Sequence, residues 1–383
     1  MNKKNLSNVT HWPEAAILVI LTLGLYMVPA VAQENPFFEE GIVRAPSAKG
    51  EINAYPVVAR TLSGNLFVAW SISGPGNTDG KIVGSVSRDS GRTWSDPITV
   101  IDVPKKFDGD PCIIIDGRRI LVYSSSVIPP NKIDNSEVWM AVSENDGETW
   151  SAPEKIQIPF KYFVGKRHIG LKLKNGMLAM PGSYDLWAEK GTPAKTEGEM
   201  DLKSGVLLSS DGGRTWVPHI DLHISAEKVT PYSTGGVVEP AIVELSNGEL
   251  YMLMRTGTEN LYESRSKDSG VTWSTPRPSP LTAHNTPASL WRVDRNPREI
   301  IAVWNNSPRN RFPLSVAISS NAGRSWSQPK DIARSENKMQ ISYPGITQAA
   351  DGNFVVVWQK QLPHGNGREI HWARFNRTWV LSK

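Results

Sequence analysis

Apolar residues in this chain occur in paired short runs, and a polar turn that usually contains glycine separates the two runs of each pair. Runs of this length on either side of such a turn are typical of β-hairpins. The pattern therefore predicts an all-β chain. The six paired segments are YPVVARTLSGNLFVAW from Tyr55, DPCIIIDGRRILVYS from Asp110, RHIGLKLKNGMLAMP from Arg167, EPAIVELSNGELYMLMR from Glu239, TPASLWRVDRNPREIIAVW from Thr286 and YPGITQAADGNFVVVW from Tyr343.

A second repeated phrase, in its commonest form S-x-D-x-G-x-T-W, follows five of the six hairpins. An Asp side chain accepts N–H groups of its own turn, and Gly supplies a positive φ, so the phrase predicts a tight turn between strands. Asn145 and Asn321 replace the Asp in two copies. This tolerance favours a structural role, in which the closing tryptophans carry much of the aromatic burial. Those tryptophans are Trp94, Trp150, Trp216, Trp273 and Trp326.

Each hairpin and its following phrase supply about four strands, which is the size of one propeller blade. Six such blades over residues 33–383 predict a single domain, a six-bladed β-propeller, with two separate domains as the alternative. The sixth hairpin lacks the phrase but is followed by the strand-like IHWARFNRTWV from Ile370. We expect GIVRAP, from Gly41, to complete the sixth blade and close the ring, which leaves no free sheet edge.

Residues 1–32 differ in character from the rest of the chain. Two lysines, an apolar run and an A-x-A ending at Ala32 are typical of a secretory signal peptide, with an uncleaved membrane anchor as the alternative. We therefore expect a secreted or periplasmic monomer with no membrane span after cleavage. The net charge of +4 is scattered and argues against a nucleic-acid partner. Cys112 is the only cysteine, so no internal disulfide forms, and its apolar setting predicts a buried thiol.

The residue just before each first apolar run is polar in all six hairpins. In a propeller the first strand of each blade lines the central channel, so these side chains are expected at one mouth of the channel. Hydrogen bonds between neighbouring blades are the alternative role. No metal-binding or cofactor-binding motif accompanies them, and we expect neither group. The six residues are Tyr55, Asp110, Arg167, Glu239, Thr286 and Tyr343.

The repeated phrase resembles the Asp-box of bacterial sialidases and their relatives, and the resemblance extends over nearly all of residues 33–383. The segment VVEPAIVELSNGELYMLMRT is similar to the family segment that carries an inward-facing glutamate and an arginine, here Glu239 and Arg255. RFPLSVAISSNAG is similar to the strand that a substrate-binding arginine opens, here Arg311. SYPGITQAADG resembles the segment with the tyrosine nucleophile, which assigns that role to Tyr343.

The chemistry of sialosides accounts for these residue types. Planar guanidinium groups hold the sugar carboxylate by paired hydrogen bonds, and a neutral tyrosine avoids the repulsion that an anionic nucleophile would meet. We expect the Tyr343 hydroxyl within hydrogen-bond reach of Glu239. The resemblance places the general acid at Asp79, in SGPGNTDGKIV, although that residue could instead cap its turn. Asp110 is a second candidate for the acid and otherwise a substrate-binding residue.

One position departs from the family pattern. Sialidases place a first arginine two residues before the proline of the opening strand, and this chain has Ala54 there. The carboxylate clamp is incomplete unless Arg167, our third substrate-binding candidate, or Arg60 reaches in. We therefore expect a retaining exo-glycoside hydrolase that cleaves sialosides weakly and prefers another acidic or neutral terminal sugar of a glycan. The alternatives are a non-catalytic carbohydrate-binding propeller, and a polysaccharide lyase or other glycosidase on the same scaffold.

Overall fold

The strands occupy the positions that the hairpin pattern predicts. They are seen in a computed structural model that describes residues 34–75, 79–128, 132–159, 163–164, 168–186, 197–296 and 298–382. The predicted signal peptide, residues 1–32, lies outside these residues. The helix α1 spans Arg377–Leu381, and among the described residues no helix is long and apolar enough to cross a membrane.

Twenty-five β-strands are present in the described part of the chain. In chain order they are β1 (Phe38–Arg44), β2 (Ile52–Arg60), β3 (Leu66–Ser73), β4 (Gly80–Ser87), β5 (Ile98–Ile101), β6 (Phe107–Asp116), β7 (Arg119–Ile128), β8 (Lys132–Ser143), β9 (Glu154–Ile156), β10 (Phe163–Val164), β11 (Leu171–Lys172), β12 (Leu178–Asp185), β13 (Asp201–Ser209), β14 (Val217–Leu222), β15 (Gly235–Glu244), β16 (Leu250–Thr256), β17 (Asn260–Ser266), β18 (Arg277–Thr282), β19 (Ser289–Arg292), β20 (Ile300–Asn305), β21 (Leu314–Ser319), β22 (Lys330–Ala333), β23 (Ile341–Gln348), β24 (Phe354–Gln361) and β25 (Arg368–Phe375).

These strands form six antiparallel units of about four strands each, which we number in chain order. Units one to five are β2–β5, β6–β9, β10–β14, β15–β18 and β19–β22, and unit six is β23–β25 with β1. Strand β1 pairs antiparallel with β25, from Phe38 opposite Phe375 to Arg44 opposite Ile370. The sequence predicted this pairing for the segment that begins at Gly41.

Three parallel contacts join neighbouring units into larger sheets. Strand β4 meets β6, β13 meets β15, and β2 meets β25. The resulting sheets contain twelve, nine and four strands. The first strands of several units are also neighbours, because β2 contacts both β6 and β23, and β19 contacts both β15 and β23.

The core lies between the apolar faces of successive units. Val57 and Phe67 of unit one pack in one buried cluster with Ile113 and Val122 of unit two. Comparable clusters join the other units, so each unit buries its apolar faces against its neighbours. Cys112 is buried in such a cluster, as its apolar setting predicted.

The five copies of the repeated phrase fold alike, and we call them the repeat turns (residues 87–94, 143–150, 209–216, 266–273 and 319–326). In each, the first Ser hydroxyl accepts the N–H of the Gly four residues on, at 2.8–2.9 Å. The Asp or Asn Oδ1 accepts the N–H of the following Thr or Ser, at 2.8–3.0 Å. Each repeat turn links the last two strands of its unit, in units one to five.

The tryptophans that close the repeat turns differ in burial. Trp216 is buried, at 6% exposure, whereas Trp94, Trp150, Trp273 and Trp326 are only half-buried. The four half-buried rings still pack against buried clusters, so the expectation that these tryptophans carry much of the aromatic burial is confirmed for Trp216 and only in part for the others. The fully buried tryptophans lie on second strands instead, where both faces of the sheet are covered. They are Trp70, Trp304 and Trp358.

Candidate active site

Four first strands contain a β-bulge whose central residue precedes a proline. Tyr55, Asp110, Glu239 and Tyr343 have φ of 58°, 52°, 50° and 56°. At each one the register with the second strand of the unit shifts. A bulge redirects a side chain, and a positive φ in a non-glycine residue costs about 1–3 kcal/mol, so such positions often mark functional sites.

A fifth residue with a similar positive φ, Asn285 at 49°, lies outside any bulge, in the loop between β18 and β19 that leads into unit five. The sequence analysis placed the corresponding side chain at Thr286, and that placement is wrong. Thr286 is fully buried, and its hydroxyl donates to Asn305 at 2.8 Å. In the four hairpins with a bulge the positive-φ residue directly precedes proline, whereas here Pro287 comes two residues after Asn285.

Glu239 and Arg255 form a buried ion pair. Arg255 Nη1 donates to Glu239 Oε2 at 3.0 Å, and the two side chains are only 3% and 2% exposed. The other two nitrogens of Arg255, Nε and Nη2, donate to Asn285 Oδ1 at 3.0 and 2.8 Å. Breaking a buried pair leaves an uncompensated charge, so each partner holds the other in place.

Arg311 joins Tyr343 to the same network. Its Nη1 donates to the Tyr343 hydroxyl at 3.1 Å, and its Nη2 donates to the main-chain oxygen of Asn285 at 2.7 Å. Asn285 thus accepts from one arginine with its side chain and from the other with its backbone. The structure brings Glu239, Arg255, Arg311 and Tyr343 together as one network, whereas the direct hydrogen bond between Tyr343 and Glu239 stays a prediction.

Two further residues border this network. The ring of Tyr55 meets that of Tyr343 edge to face, with centroids 4.9 Å apart. The half-buried His284 precedes Asn285, and its Nδ1 lies 3.3 Å from the Thr258 carbonyl oxygen. Burial lowers the pKa of His284, and the positive charges of Arg255 and Arg311 lower it further. This imidazole is therefore kept neutral beside the two guanidinium groups.

The remaining candidates lie in different settings. Asp110 is buried at the bulge of β6. Asp79 is exposed and lines a cavity of about 280 Å³ with Glu51 and Lys81, and no residue of the Tyr343 network lines that cavity. Arg167 lies outside the described residues. Among the described residues, no group of three or more His, Cys, Asp or Glu side chains is placed to hold a metal ion.

Arg60 does not complete the clamp, so that alternative is wrong. It lies at the far end of β2 from the bulge, and its Nη2 donates to Asp294 at 2.6 Å. Ala54, where the family pattern has an arginine, is buried beside the bulge and faces Ser71 in the register.

One buried carboxyl near the bulge of β6 was not singled out from the sequence. Asp108 is fully buried, accepts the N–H of Val103 at 2.7 Å and accepts a hydrogen bond from the Ser126 hydroxyl. Burial raises the pKa of Asp108 from 3.8 to about 6, although both hydrogen bonds act to lower it.

Known proteins of similar sequence and fold include several sialidases. A sialidase of Bacteroides fragilis is 24% identical over 323 residues, which are 73% of this chain and 54% of that protein. The chain thus spans about half the length of that relative. The NanB sialidase of Streptococcus pneumoniae is 16% identical, with a TM-score of 0.69 over 90% of this chain and 71% of that one. The intramolecular trans-sialidase of Ruminococcus gnavus is also 16% identical, with a TM-score of 0.64 over 86% and 96% of the two chains.

Because the two solved structures are each only 16% identical to this chain, they show a shared fold and give no information on its activity. Residues 56–356 match the BNR repeat-like domain family. This match covers most of the chain, from the first bulge to the second strand of unit six. The chain therefore belongs to the BNR repeat-like domain family, a membership consistent with the sialidase superfamily that its sequence resembles.

Proposed function

We propose that this protein is a sialidase-like exo-glycoside hydrolase built on a six-bladed β-propeller. Six antiparallel units, with β1 completing the last and β2 lying beside both β6 and β23, support the ring. The five repeat turns share the same hydrogen bonds, and we identify them as Asp-boxes. We also propose that residues 1–32 are a signal peptide and that the protein is secreted or periplasmic.

The observation that carries the catalytic proposal is the network around Tyr343. A guanidinium that donates to a phenol oxygen stabilises negative charge on that oxygen. Arg311 makes this contact, and Asn285 and Arg255 connect Arg311 to Glu239 through three further hydrogen bonds. The hydroxyl is thus held among charged groups in a network that three strands, β15, β16 and β23, and two loops contribute.

In the proposed reaction Tyr343 attacks the anomeric carbon while the bond from that carbon to the leaving oxygen breaks. The leaving oxygen takes a proton from Asp79, or from Asp110, and the phenol proton passes to Glu239. Water then attacks the anomeric carbon of the tyrosyl glycoside and gives a proton to the same aspartate. The Tyr343 oxygen leaves and regains its proton, so the product keeps the configuration of the substrate.

The test is hydrolysis by the full chain of a panel of 4-nitrophenyl glycosides that includes a sialoside. For any substrate cleaved, Tyr343→Phe should lower kcat by at least about a thousandfold, since the nucleophile is lost. Tyr232→Phe is the matched control, because Tyr232 is 83% exposed, and it should keep full activity. Proton NMR of the first product should show the retained anomer.

Three outcomes would contradict the proposal. Full activity in folded Tyr343→Phe would show that Tyr343 is not the nucleophile. An unsaturated product that absorbs in the ultraviolet would indicate a lyase. Binding of glycans without cleavage of any panel member would favour the carbohydrate-binding propeller instead.

A further inference from the structure

His284 lies directly before Asn285, the loop residue that both arginines of the network use as an acceptor. Its half-buried ring has a hydrogen-bond partner at each nitrogen. Nδ1 lies 3.3 Å from the Thr258 carbonyl oxygen, and Nε2 lies 3.3 Å from the Ser233 hydroxyl oxygen. A carbonyl oxygen can only accept, so Nδ1 carries the proton and Nε2 of the neutral ring accepts from Ser233. The two contacts therefore fix one neutral tautomer of His284.

The segments that hold His284 also hold Asn285. Thr234 donates through its hydroxyl to Asn285 Oδ1 at 3.0 Å, and the Asn285 N–H donates to the main-chain oxygen of Thr256 at 3.0 Å. Thr234 lies just before β15, and Thr256 is the last residue of β16. These contacts anchor the loop to unit four on two sides. They set the position at which the side chain and the carbonyl of Asn285 accept from the two arginines.

A proton on Nε2 of His284 would bring a further positive charge to this place. The described network has two guanidinium groups, of Arg255 and Arg311, and one carboxylate, of Glu239, so positive charge is already in excess. Burial lowers the pKa of His284, the charges of both arginines lower it further, and the exposed carboxylate of Glu259 acts in the opposite direction. A cationic His284 is therefore repelled by the groups that its loop holds in place.

The segment that supplies Ser233 contains one charged residue, Lys228, among residues 228–234. The Lys228 ammonium donates to the main-chain oxygen of Gly198 at 2.7 Å, and Tyr232, the one phenol of the segment, is 83% exposed. Among the charged groups around the ring, the two arginines are the ones bonded to the residue that follows His284. A change of charge on the ring should therefore act first on their hydrogen bonds.

We propose that His284 is a positioning residue of the Tyr343 site. As a neutral ring it fixes the loop in which Asn285 accepts from the two arginines, and as a cation it weakens those hydrogen bonds and lowers activity. Because a free imidazole titrates near about 6.5 and this ring takes up its proton below that value, the effect should appear only in acidic solution. The effect on activity rests on the proposed function, whereas the effect on the arginines does not.

The first experiment measures kcat and KM of the full chain between pH 8 and pH 4.5, on the 4-nitrophenyl glycoside that it cleaves best. His284→Gln keeps a donor and an acceptor but is uncharged at every pH, so at pH 8 it should match the wild type within about threefold. The ratio of kcat/KM in His284→Gln to that in the wild type should then rise at least about tenfold by pH 4.5, since the two proteins share all other titrating groups. His219→Gln, on the outer strand β14, is the matched control and should keep a constant ratio. A constant ratio for His284→Gln would overturn the proposal.

His284→Ala tests the role of the neutral ring at pH 8. It loses both contacts of the ring, so kcat/KM should fall about tenfold, mainly through kcat, because the groups around Tyr343 are less well positioned. His284→Gln restores a neutral donor and acceptor and should recover the activity. Unchanged kinetics in folded His284→Ala would show that the reaction does not depend on this ring.

The second experiment follows the arginines without any substrate. Arg255 Nε donates to Asn285, so its N–H signal in NMR spectra of the isotope-labelled full chain reports on that hydrogen bond. In the wild type this signal should shift with pH at the same midpoint as the His284 ring, and in His284→Gln the shift should disappear. This result supports the positioning role even if no glycoside is cleaved, in which case the hydrolase proposal alone fails. An Arg255 signal that does not follow His284 overturns the inference even if activity falls in acid.

Discussion

The repeat turns and the bulge residues are both repeated features of the same units, but they repeat in different ways. All five repeat turns keep the same hydrogen bonds, with Asn in place of Asp in two of them. The four bulge residues and Asn285 keep only a backbone conformation, with φ between 49° and 58°, and carry three acid or amide groups and two phenols. In unit one the two features lie towards opposite ends of the strands, since Ser87 pairs with Leu66 and Ile52 pairs with Ser73.

The difference separates scaffold from chemistry. In the repeat turns both the backbone and the hydrogen-bonding side chain recur, because the same N–H groups of the turn need an acceptor each time. A substitution there is expected to affect stability. At the positive-φ positions the backbone conformation recurs but the side chain varies, so the scaffold presents different chemical groups at equivalent places. A substitution there is expected to affect activity. Substitutions at single residues test whether stability and activity are divided in this way.

The largest effect is expected for Trp216→Ala. Trp216 is buried, meets Tyr123 edge to face at 5.6 Å and donates to Gly213 O at 3.0 Å. Its loss should lower the free energy of unfolding by about 3–5 kcal/mol. Trp326→Ala is the matched control, because that ring is half-buried, and should cost about 1–2 kcal/mol. Chemical denaturation measures both, and equal losses would mean that burial does not set the role of these tryptophans.

Asp108 provides a test on the bulge strand β6 that concerns stability instead of activity. The native carboxyl has a pKa of about 6 because of burial, against 3.8 when exposed, so between these values the native state binds more protons. Stability should therefore fall as pH rises from about 4 to 6, by roughly 3 kcal/mol at most. Asp108→Asn should remove this fall, whereas Asp221→Asn, at an exposed position, should keep it. Denaturation at pH 4 and pH 7 makes the comparison.

Asn285→Gly tests the loop residue that links the two arginines. Glycine accepts the positive φ and leaves the carbonyl that Arg311 uses, but it removes the acceptor of Arg255 and Thr234. Losing a hydrogen bond to a charged group should lower kcat/KM by about ten- to a hundredfold. Steady-state kinetics on the best substrate measures this, with Asn247→Gly in an exposed turn as the control. Unchanged kinetics in the folded variant would remove Asn285 from the site.

The smallest effect is expected in a repeat turn. Asp268→Ala should cost about 1 kcal/mol, since Asp268 accepts from Ser266 and from the Thr272 N–H. Asp268→Asn should cost under about 0.5 kcal/mol, because Asn145 makes the same bond to Thr149. The Thr272 hydroxyl lowers the pKa of Asp268 to about 2, so this contribution fades in the wild type as pH falls from about 4 to 2. Denaturation at pH 7 and pH 3 should show no such loss in Asp268→Asn.

The sequence predicted the features that depend on local pattern. The hairpins, the repeat turns and the pairing of β1 with β25 follow from apolar runs and turn residues, which act over a few positions. Asn285 was missed because alignment on the proline points to Thr286, and only the backbone shows which residue takes the positive φ. The contact between Tyr55 and Tyr343 was also missed, since it joins units one and six across the fold. Burial of the tryptophans depends on neighbouring units and could not be read from the repeated phrase.

The pairing of β1 with β25 has a consequence for how the chain folds. The Phe37 N–H donates to Asn376 Oδ1 across 339 positions of sequence, whereas units one to five are each built from a continuous stretch. Bringing such distant segments together carries a loop-closure entropy that local hairpins do not. Unit six should therefore assemble last, and until then β25 presents an open edge on which a second chain could pair. We expect both slow folding and concentration-dependent association to originate where β1 pairs with β25.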